Sequence, residues 1–331
     1  MPAAVFNLSQ IQRALTSDAD VVDAIARCFV QLAEGRVQLA PVVHLGPFDT
    51  RGKLTNDACI KSGLVTGGEN FVIKIATGGF SDNRLLSLPT ADGIMCVFSQ
   101  KTGLLDGILL DEGFLTDLRT AAAGAVAARY LAPRSLNHIG VIGTGVQARF
   151  QVRMLAGVVT CRSVLVWGRN KEHAEETCRD IENLGLGFVA RTIGSPRELA
   201  AEARLIVTTT SASAPILWRA DIQPGTHISA VGADGIGKQE LDAEICAFAD
   251  LCVADSRNQC VEFGELSHAC KASTLSPDSV VELGELILDP ERRRSHDDDQ
   301  RVTVFDSTGV GIQDVAIASM VLGELRRRAK L

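Results

Sequence analysis

The sequence lacks an excess of positive charge. It contains 33 Lys and Arg against 40 Asp and Glu, so the formal net charge is -7 at pH 7. Nucleic-acid-binding proteins usually carry a basic surface that neutralises phosphates, and this balance argues against such a partner. Long apolar runs are missing too. No stretch approaches the roughly 18 apolar residues that a membrane-spanning helix needs, so we expect no membrane partner.

Cysteines with the spacing of metal or redox motifs are also absent. The nine cysteines include no C-x-x-C pair and no Cys/His pattern typical of zinc, so we expect no metal site. The segment from Met1 to Ala4 lacks the basic start of a secretory signal. These features predict reduced cysteines and a cytoplasmic location.

The sequence does contain enough apolar material for a large core. Its 331 residues, 46% of them hydrophobic, allow two domains. Apolar residues at helical spacing predict a helix over 18–34. Strand-like runs follow at 41–45, 58–61, 71–76 and 94–99, separated by turn residues. This pattern predicts an α+β domain with an antiparallel or mixed sheet.

From residue 137 onward the pattern changes, and predicted strands alternate with helices. These strands run over 138–142, 163–167, 187–190, 205–209, 227–231, 251–254 and 302–305. Such alternation is typical of an α/β fold with a doubly wound parallel sheet. We therefore predict one domain over residues 119–311. The other comprises residues 1–118 and is completed by the C-terminal helix within 312–331.

The segment HIGVIGTGVQA, residues 138–148, has the pattern strand, tight turn, helix. Its first glycine after the strand permits the turn, the second lets the backbone approach a pyrophosphate, and the alanine allows close helix packing. The helix start offers N–H groups and a positive dipole end to the phosphates. A glycine turn that binds nothing remains the alternative. We predict a Rossmann domain for a nicotinamide dinucleotide, bound in this turn by Gly143, Thr144, Gly145, Val146 and Gln147.

Other cofactor-binding residues are predicted where further strands end. Arg169 follows the second strand, where an NAD site usually places an acidic residue for the ribose 2′-hydroxyl. It could contact a 2′-phosphate instead, which predicts NADPH over NADH, unless it stacks on the adenine or faces solvent. The ends of later strands add Thr209, Thr210, Val231 and Ser307.

Two lysines lie in strand-like runs of the first domain. Lys74 shares a strand face with Val72 and Ala76. A buried lysine there requires an anionic partner or an open cleft, and its pKa would fall. Lys61, thirteen residues earlier, could meet it from an adjacent strand. The alternative for both is an exposed lysine on an open sheet.

Arg119 falls in the first turn of an alanine-rich helix for which Thr116 is the predicted N-cap. A cation opposes the helix dipole there, unless an anion binds the same helix end. The guanidinium and the backbone N–H groups would then converge on one carboxylate. A structural salt bridge to Asp117 or Asp106 is the alternative.

Asp234 follows the predicted strand over 227–231, whose carboxyl end should face the cofactor crevice. A carboxyl group in that position could donate or accept a proton during catalysis. The alternative is a turn or capping residue.

Together, these segments resemble the ornithine cyclodeaminase/μ-crystallin family. The resemblance runs from about residue 40 to the C-terminus and is carried by segments in the family's order. These are FVIKI at 71–75, LTDLRTAAAG at 115–124, GTGVQAR at 143–149, VGAD at 231–234, KQELD at 238–242 and FDSTG at 305–309.

The resemblance implies a homodimer whose first domain, with the final helix, forms the substrate and dimerisation unit. It implies that Lys74 and Arg119 hold the carboxylate of an amino or imino acid beside the nicotinamide, and that Asp234 is the catalytic acid or base. Lys74 is also expected to act in catalysis by polarising the imine. Members of the family interconvert amines and imines next to a carboxylate.

Two positions depart from the family pattern. Cyclodeaminases that act on ornithine place a glutamate thirteen residues before the carboxylate-binding lysine, whereas Lys61 stands here. A lysine repels ammonium groups and favours a second anion on the substrate. The early Pro-x-Arg is replaced by Pro41-Val42-Val43-His44, so we place His44 among the substrate-binding residues. The chain is most similar to the branch containing the ectoine-utilisation homologue.

We therefore predict an NAD(P)H-dependent oxidoreductase that reduces a small 2-imino acid to an amino acid, or catalyses the reverse reaction. One alternative is an NAD-dependent, ornithine-type cyclodeaminase that releases ammonia. Another is a non-catalytic, NADPH-dependent binder of a small carboxylate, similar to μ-crystallin.

Overall fold

The computed structural model describes residues 3–48, 55–295 and 300–329. The strands are β1 Ala4–Asn7, β2 Val37–Leu39, β3 Val43–Leu45, β4 Asp57–Val65, β5 Asn70–Gly78, β6 Asp92–Ser99, β7 Leu105–Leu110, β8 Ile139–Ile142, β9 Ser163–Trp167, β10 Val189–Thr192, β11 Leu205–Thr208, β12 Ser213–Leu217, β13 His227–Ala230, β14 Gln239–Leu241, β15 Leu251–Ala254, β16 Val281–Glu282 and β17 Thr303–Asp306.

The α-helices are α1 Leu8–Ala14, α2 Asp18–Ala33, α3 Phe114–Leu131, α4 Val146–Leu155, α5 Lys171–Glu182, α6 Pro196–Glu202, α7 Ala243–Phe248, α8 Arg257–Phe263, α9 Glu265–Lys271, α10 Leu283–Leu288 and α11 Gly311–Ala329. Short 3₁₀ helices lie at Ser81–Leu86, Arg219–Asp221, Pro277–Ser279 and Pro290–Arg292. Among the described residues, no helix is both long and apolar enough to span a membrane.

The chain divides into two compact units. Unit 1 comprises Met1–Arg119 with Val310–Leu331, and unit 2 comprises Thr120–Gly309. The seven-stranded sheet of unit 1 has the order β1-β7-β6-β5-β4-β2, with β3 also paired to β4. β1 pairs with β7 in parallel, and the other neighbours are antiparallel. This is the mixed sheet that the strand pattern predicts.

The core of unit 1 lies on one face of this sheet. Alternation along the strands buries Val72, Met95 and Leu109 on that face, and α11 packs against β4, β5 and α2. The opposite face is also apolar but remains partly exposed, and Phe71 and Phe98 stack there with ring centroids 4.8 Å apart. Residues from the two ends of the chain therefore build one core.

Unit 2 contains an eight-stranded parallel sheet of order β10-β9-β8-β11-β13-β17-β15-β16. Apolar side chains cover both faces, as the near-continuous apolar strands require. One cluster joins the sheet to α4 and α5, and the other joins it to α6, α7, α8 and α9. The predicted α/β fold with a doubly wound parallel sheet is therefore confirmed. The strand order reverses between β8 and β11, where such folds bind ligands.

Candidate functional site

The turn between β8 and α4 has the shape that a dinucleotide pyrophosphate requires. Gly143 adopts a φ of 126°, and a Cβ there would lie 2.3 Å from Thr209 Oγ1. Gly145 is the N-cap of α4 and has no side-chain cap, and a Cβ there would meet nothing within 4 Å. Open space therefore lies in front of the first turn of α4, where backbone N–H groups and the positive end of the helix dipole can meet a phosphate.

The other predicted cofactor residues of this turn are Thr144, Val146 and Gln147. Thr144 places its methyl group where a Cβ on Gly168 would collide with it, so β9 approaches the turn closely. Val146 is half exposed at the helix start, and the side chain of Gln147 accepts a hydrogen bond from Gln151 at 3.4 Å.

The later candidates lie at the carboxyl ends of the parallel strands. Thr209 follows β11 and donates its backbone N–H to Ile142 O at 2.8 Å, while Thr210 is next in sequence. Val231 follows β13, and Ser307 follows β17. The structure therefore brings the ends of β8, β11, β13 and β17 together at one edge of the sheet, as a dinucleotide crevice requires.

Arg169 is exposed immediately after β9. The next residue, Asn170, caps α5 by accepting the N–H of His173, and this cap fixes where the strand ends and the helix begins. The geometry leaves the guanidinium at the surface, where it is accessible to a ligand phosphate and to solvent.

Unit 1 contains a buried cluster of cations. Antiparallel pairing of β4 and β5 places Lys61 directly opposite Lys74, and both side chains are buried. Arg119, on α3, is buried as well. Lys74 Nζ lies 3.5 Å from Asp314 Oδ2, and Arg119 Nε donates to Asp314 Oδ1 at 3.1 Å. Lys74 and Arg119 thus share one carboxylate, and the charge of Lys61 lies beside Lys74. This concentration of buried cations favours an anionic ligand.

Burial is the main cause of the lowered pKa of Lys74, which is about 8. The carboxylate of Asp314 raises this pKa, whereas the charges of Arg119 and Lys61 lower it further. Near neutral pH the group is therefore charged but can exchange its proton readily, a property that suits a group beside a reacting imine.

Arg119 is held by two neighbouring residues of α11. Besides its bond to Asp314, it donates from Nη1 to Gln313 Oε1 at 2.9 Å. Gln313 Oε1 also accepts the N–H of Val310, which fixes the orientation of the amide. The other terminal nitrogen, Nη2, forms no hydrogen bond within the described part of the chain. It is therefore available to a ligand oxygen.

The alternative reading of Arg119, a structural salt bridge, is met with a different partner, which is Asp314 rather than Asp117 or Asp106, because the last helix of the chain packs in this unit. The prediction that Thr116 is the N-cap was wrong, since α3 already begins at Phe114 and the preceding Asp111 accepts the N–H of Leu115 at 2.9 Å. Arg119 therefore lies in the second turn of the helix rather than in the first.

Neither Gln313 nor Asp314 was predicted from the sequence. The sequence offered one signal, since a buried glutamine and aspartate interrupt an otherwise apolar helix face.

His44 lies at the exposed end of the same sheet face. Its Nδ1 is 2.7 Å from Asp57 Oδ2, and it pairs across the strands with Cys59. The three ligand atoms of these residues lie within 4.8 Å of one another, so the group could hold a metal ion, although no metal was expected. Burial raises the pKa of the Cys59 thiol, and the charges of Lys61 and Lys74 reach it. Their positive charge favours an anion here over a cation.

Asp234 lies in the turn that follows β13 in unit 2. Its carboxylate is paired with Lys238 Nζ and is about half exposed. Both properties are compatible with a group that exchanges a proton, and equally with a turn residue.

Comparison with known proteins agrees with this arrangement. Residues 2–328 match the ornithine cyclodeaminase/mu-crystallin family. An uncharacterised cyclodeaminase of Sinorhizobium fredii is 37% identical over 97% of this chain and 95% of that protein. The iminosuccinate reductase of Paracoccus denitrificans is 36% identical over 76% of each chain. An archaeal alanine dehydrogenase dimer with bound NAD superposes with a TM-score of 0.87, at 30% identity, over 99% of this chain and 98% of that chain. This chain therefore belongs to the ornithine cyclodeaminase/mu-crystallin family.

Proposed function

We propose that the protein is an NAD(P)H-dependent oxidoreductase that reduces a small 2-imino acid to the amino acid, or catalyses the reverse. The observation that carries this proposal is the buried cation cluster, in which Lys74 and Arg119 both contact Asp314 and Lys61 lies opposite Lys74. Relatives named iminosuccinate reductase and alanine dehydrogenase support the reaction class.

In the proposed mechanism, Arg119 Nη2 and Lys74 Nζ bind the α-carboxylate and fix the orientation of the imine carbon. The nicotinamide dinucleotide supplies the hydride, and Asp234 delivers the proton that converts the imine nitrogen to an amine. Lys74 Nζ also holds a positive charge beside the imine. Much of the acceleration would come from positioning the substrate by its carboxylate.

The test is a panel of substrates assayed for oxidation of NADH and of NADPH. It contains 2-oxo acids with ammonia or methylamine, and cyclic imines such as pyrroline-2-carboxylate. We expect imine-dependent oxidation that collapses in Arg119→Ala but persists in Arg153→Ala, a partly exposed arginine of unit 2. Silence across the panel, with ammonia released from a diamino acid and catalytic NAD⁺, would favour the cyclodeaminase. Ligand binding without turnover would favour the non-catalytic binder.

Lys61 is proposed to select substrates that carry a second anion. It is buried opposite Lys74, so its charge adds to the positive potential where Lys74 and Arg119 would bind the α-carboxylate. Lys61→Gln should lower kcat/KM for imines formed from dicarboxylic 2-oxo acids, and should change kcat/KM for pyrroline-2-carboxylate much less. Equal losses for both substrates would contradict the selection.

Three further features complete the proposal. We propose a preference for NADPH, based on the exposed Arg169 after β9, and Arg169→Ala should lower the affinity for NADPH more than that for NADH.

We propose a homodimer, supported by the apolar open face of the unit 1 sheet and by the dimeric alanine dehydrogenase. We also propose a cytoplasmic location, which the nine free cysteines support.

A further inference from the structure

Apart from Lys238, which pairs with Asp234, the KQELD segment at 238–242 has no role in the function described so far. Its central residue, Glu240, lies in the short strand β14 of unit 2 and is completely buried. A buried carboxylate is costly unless several donors satisfy it. Its partners therefore indicate what the side chain is for.

The carboxylate of Glu240 joins the ends of two adjacent strands. Its Oε2 accepts a hydrogen bond from Thr208 Oγ1 at 2.6 Å and another from the N–H of Gly232 at 2.9 Å. Its Oε1 accepts the N–H of Thr210 at 2.5 Å. Thr208 ends β11, and Gly232 lies two residues beyond β13, so one side chain sets the distance between these two segments.

The packing at Gly232 shows how closely these groups approach. A Cβ on Gly232 would lie 2.2 Å from Thr210 O and 2.5 Å from Glu240 Cδ. Neither the backbone oxygen nor the buried carboxylate has room to move, so this position requires glycine. The backbone at Gly232 thus lies directly against the carboxylate of Glu240, two residues before Asp234.

Glu240 is itself anchored by a second buried acid. Glu265 accepts the backbone N–H groups of Glu240 and Leu241, at 2.5 and 3.1 Å. Burial raises the pKa of Glu240, and the bonds from Thr208, Thr210 and Gly232 oppose that rise. Burial also raises the pKa of Glu265, with the charges of Glu240 and Asp306 adding to the effect. Two acids buried together cost stability, which is consistent with a role in positioning.

These segments lie on one side of the point where the strand order reverses. The first βα turn lies at β8 and Arg169 follows β9, whereas β11 and β13 lie on the other side of β8. A dinucleotide bound across such a crevice places its adenosine half near β9 and its nicotinamide half near the later strands. The carboxylate of Glu240 therefore supports the nicotinamide side.

We propose that Glu240 is a positioning residue that holds the 208–210 and 231–234 segments in the arrangement that binds the nicotinamide half of the cofactor. This inference rests on the proposed dinucleotide function. It concerns a side chain that acts through Thr210 and Gly232 rather than by touching the substrate.

The test compares two ligands in Glu240→Gln. Glutamine keeps the size of the side chain but turns its amide group toward Thr210 or Gly232, so at least one hydrogen bond is lost. NADH and ADP-ribose share the adenosine half, and ADP-ribose lacks the nicotinamide. By calorimetric titration we expect a roughly tenfold loss of affinity for NADH and an unchanged affinity for ADP-ribose. If the wild type prefers NADPH, that ligand and 2′-phospho-ADP-ribose replace the pair.

The control is Glu244→Gln, at an exposed position on α7 that should change neither affinity. If Glu240→Gln does not fold, Thr208→Val removes one donor while keeping the shape of the side chain, and should show a smaller loss of the same kind. Equal losses for both ligands, or no loss for either, would overturn the positioning role. A wild-type protein that binds neither ligand would overturn the proposed cofactor as well.

Discussion

Asp314 balances the charge of two buried cations. Lys74 and Arg119 each meet one of its oxygens, and all three side chains are almost fully buried. Moving these charges out of water is costly, and their mutual attraction offsets the cost only while the carboxylate is present. One carboxylate cannot neutralise both cations, and the remaining positive charge is the one that the proposed substrate carboxylate would meet.

Asp314→Asn should therefore destabilise the protein strongly. The amide keeps the shape of the side chain but leaves Lys74 and Arg119 without their counter-charge, and breaking a buried pair in this way costs about 3–5 kcal/mol. Urea unfolding followed by circular dichroism measures the change. Glu324→Gln, which removes a carboxylate paired with exposed arginines on the same helix, serves as control and should change stability much less. Similar unfolding midpoints for the two variants would contradict this account.

Lys74 should also make carboxylate binding depend on pH. Its pKa is about 8, so the ammonium is charged below that value, and affinity for an anion should fall as the pH rises through it. Of the neighbouring groups, Asp111 has a pKa raised by burial to about 6, and burial raises the pKa of Cys59 above its usual value of 9.0. Neither of these groups therefore changes charge near pH 8.

The measurement is the dissociation constant of a non-reacting carboxylate, such as pyrrole-2-carboxylate, between pH 6 and pH 9.5. Lys74→Gln should bind weakly with little pH dependence over the upper half of this range. Lys101→Gln, at an exposed turn, should reproduce the wild-type curve. A wild-type affinity that is constant through pH 8 would show that Lys74 does not titrate there.

At the scale of secondary structure, local patterns predict most of what positions the site. Alternation along β5 correctly placed Lys74 on the face of Val72, opposite to that of Phe71 and Ile73, and the glycine spacing correctly placed the turn after β8. The pairing of Lys61 with Lys74 was one of the two possibilities that the sequence left open, and it is found because the two strands are neighbours in sequence and pair.

Long-range partners could not be predicted in this way. Asp314 lies 195 residues from Arg119 in the sequence, and nothing local specifies that α11 returns to the sheet with this rotation. Glu240 meets Thr208 across 32 residues. The partners of both acids come from distant parts of the chain. The local sequence therefore shows only that a polar residue stands where an apolar one is expected, and it does not show what that residue contacts.

The turn between β8 and α4 gives a prediction at this same scale. Gly145 has a φ of -80° and open space around its missing Cβ, so alanine fits the folded chain without strain. The added methyl group would occupy the space through which the backbone approaches a pyrophosphate. Gly145→Ala should therefore fold normally and lose roughly tenfold or more in NADH affinity.

Fluorescence titration with NADH and thermal unfolding together test this expectation. Gly157→Ala is the matched control, because a Cβ there meets only a backbone oxygen at 3.8 Å and the residue lies at the far end of α4. An unchanged affinity in Gly145→Ala would place the pyrophosphate elsewhere.

For the whole molecule, the open face of the unit 1 sheet is the feature that most needs a partner. Phe71, Ile73 and Phe98 lie on it partly exposed, while Ile75 and Leu110 are more exposed still. A contiguous apolar face of this kind usually marks an interface. The homodimer proposed above would cover this face, since a twofold interface is formed by the same patch on both subunits.

Ile73→Glu should therefore convert the proposed dimer to a monomer. Ile73 lies on a central strand, so a twofold interface on this face would bury both introduced carboxylates among apolar side chains, which is strongly unfavourable. Sedimentation velocity at micromolar concentration measures the change, with intact secondary structure checked by circular dichroism. Ile236→Glu, on an exposed turn of unit 2, should leave the sedimentation coefficient unchanged. A wild type that sediments as a monomer would contradict the proposed dimer. A dimeric Ile73→Glu would place the interface on another surface, because a twofold contact on this face could not tolerate the buried charges.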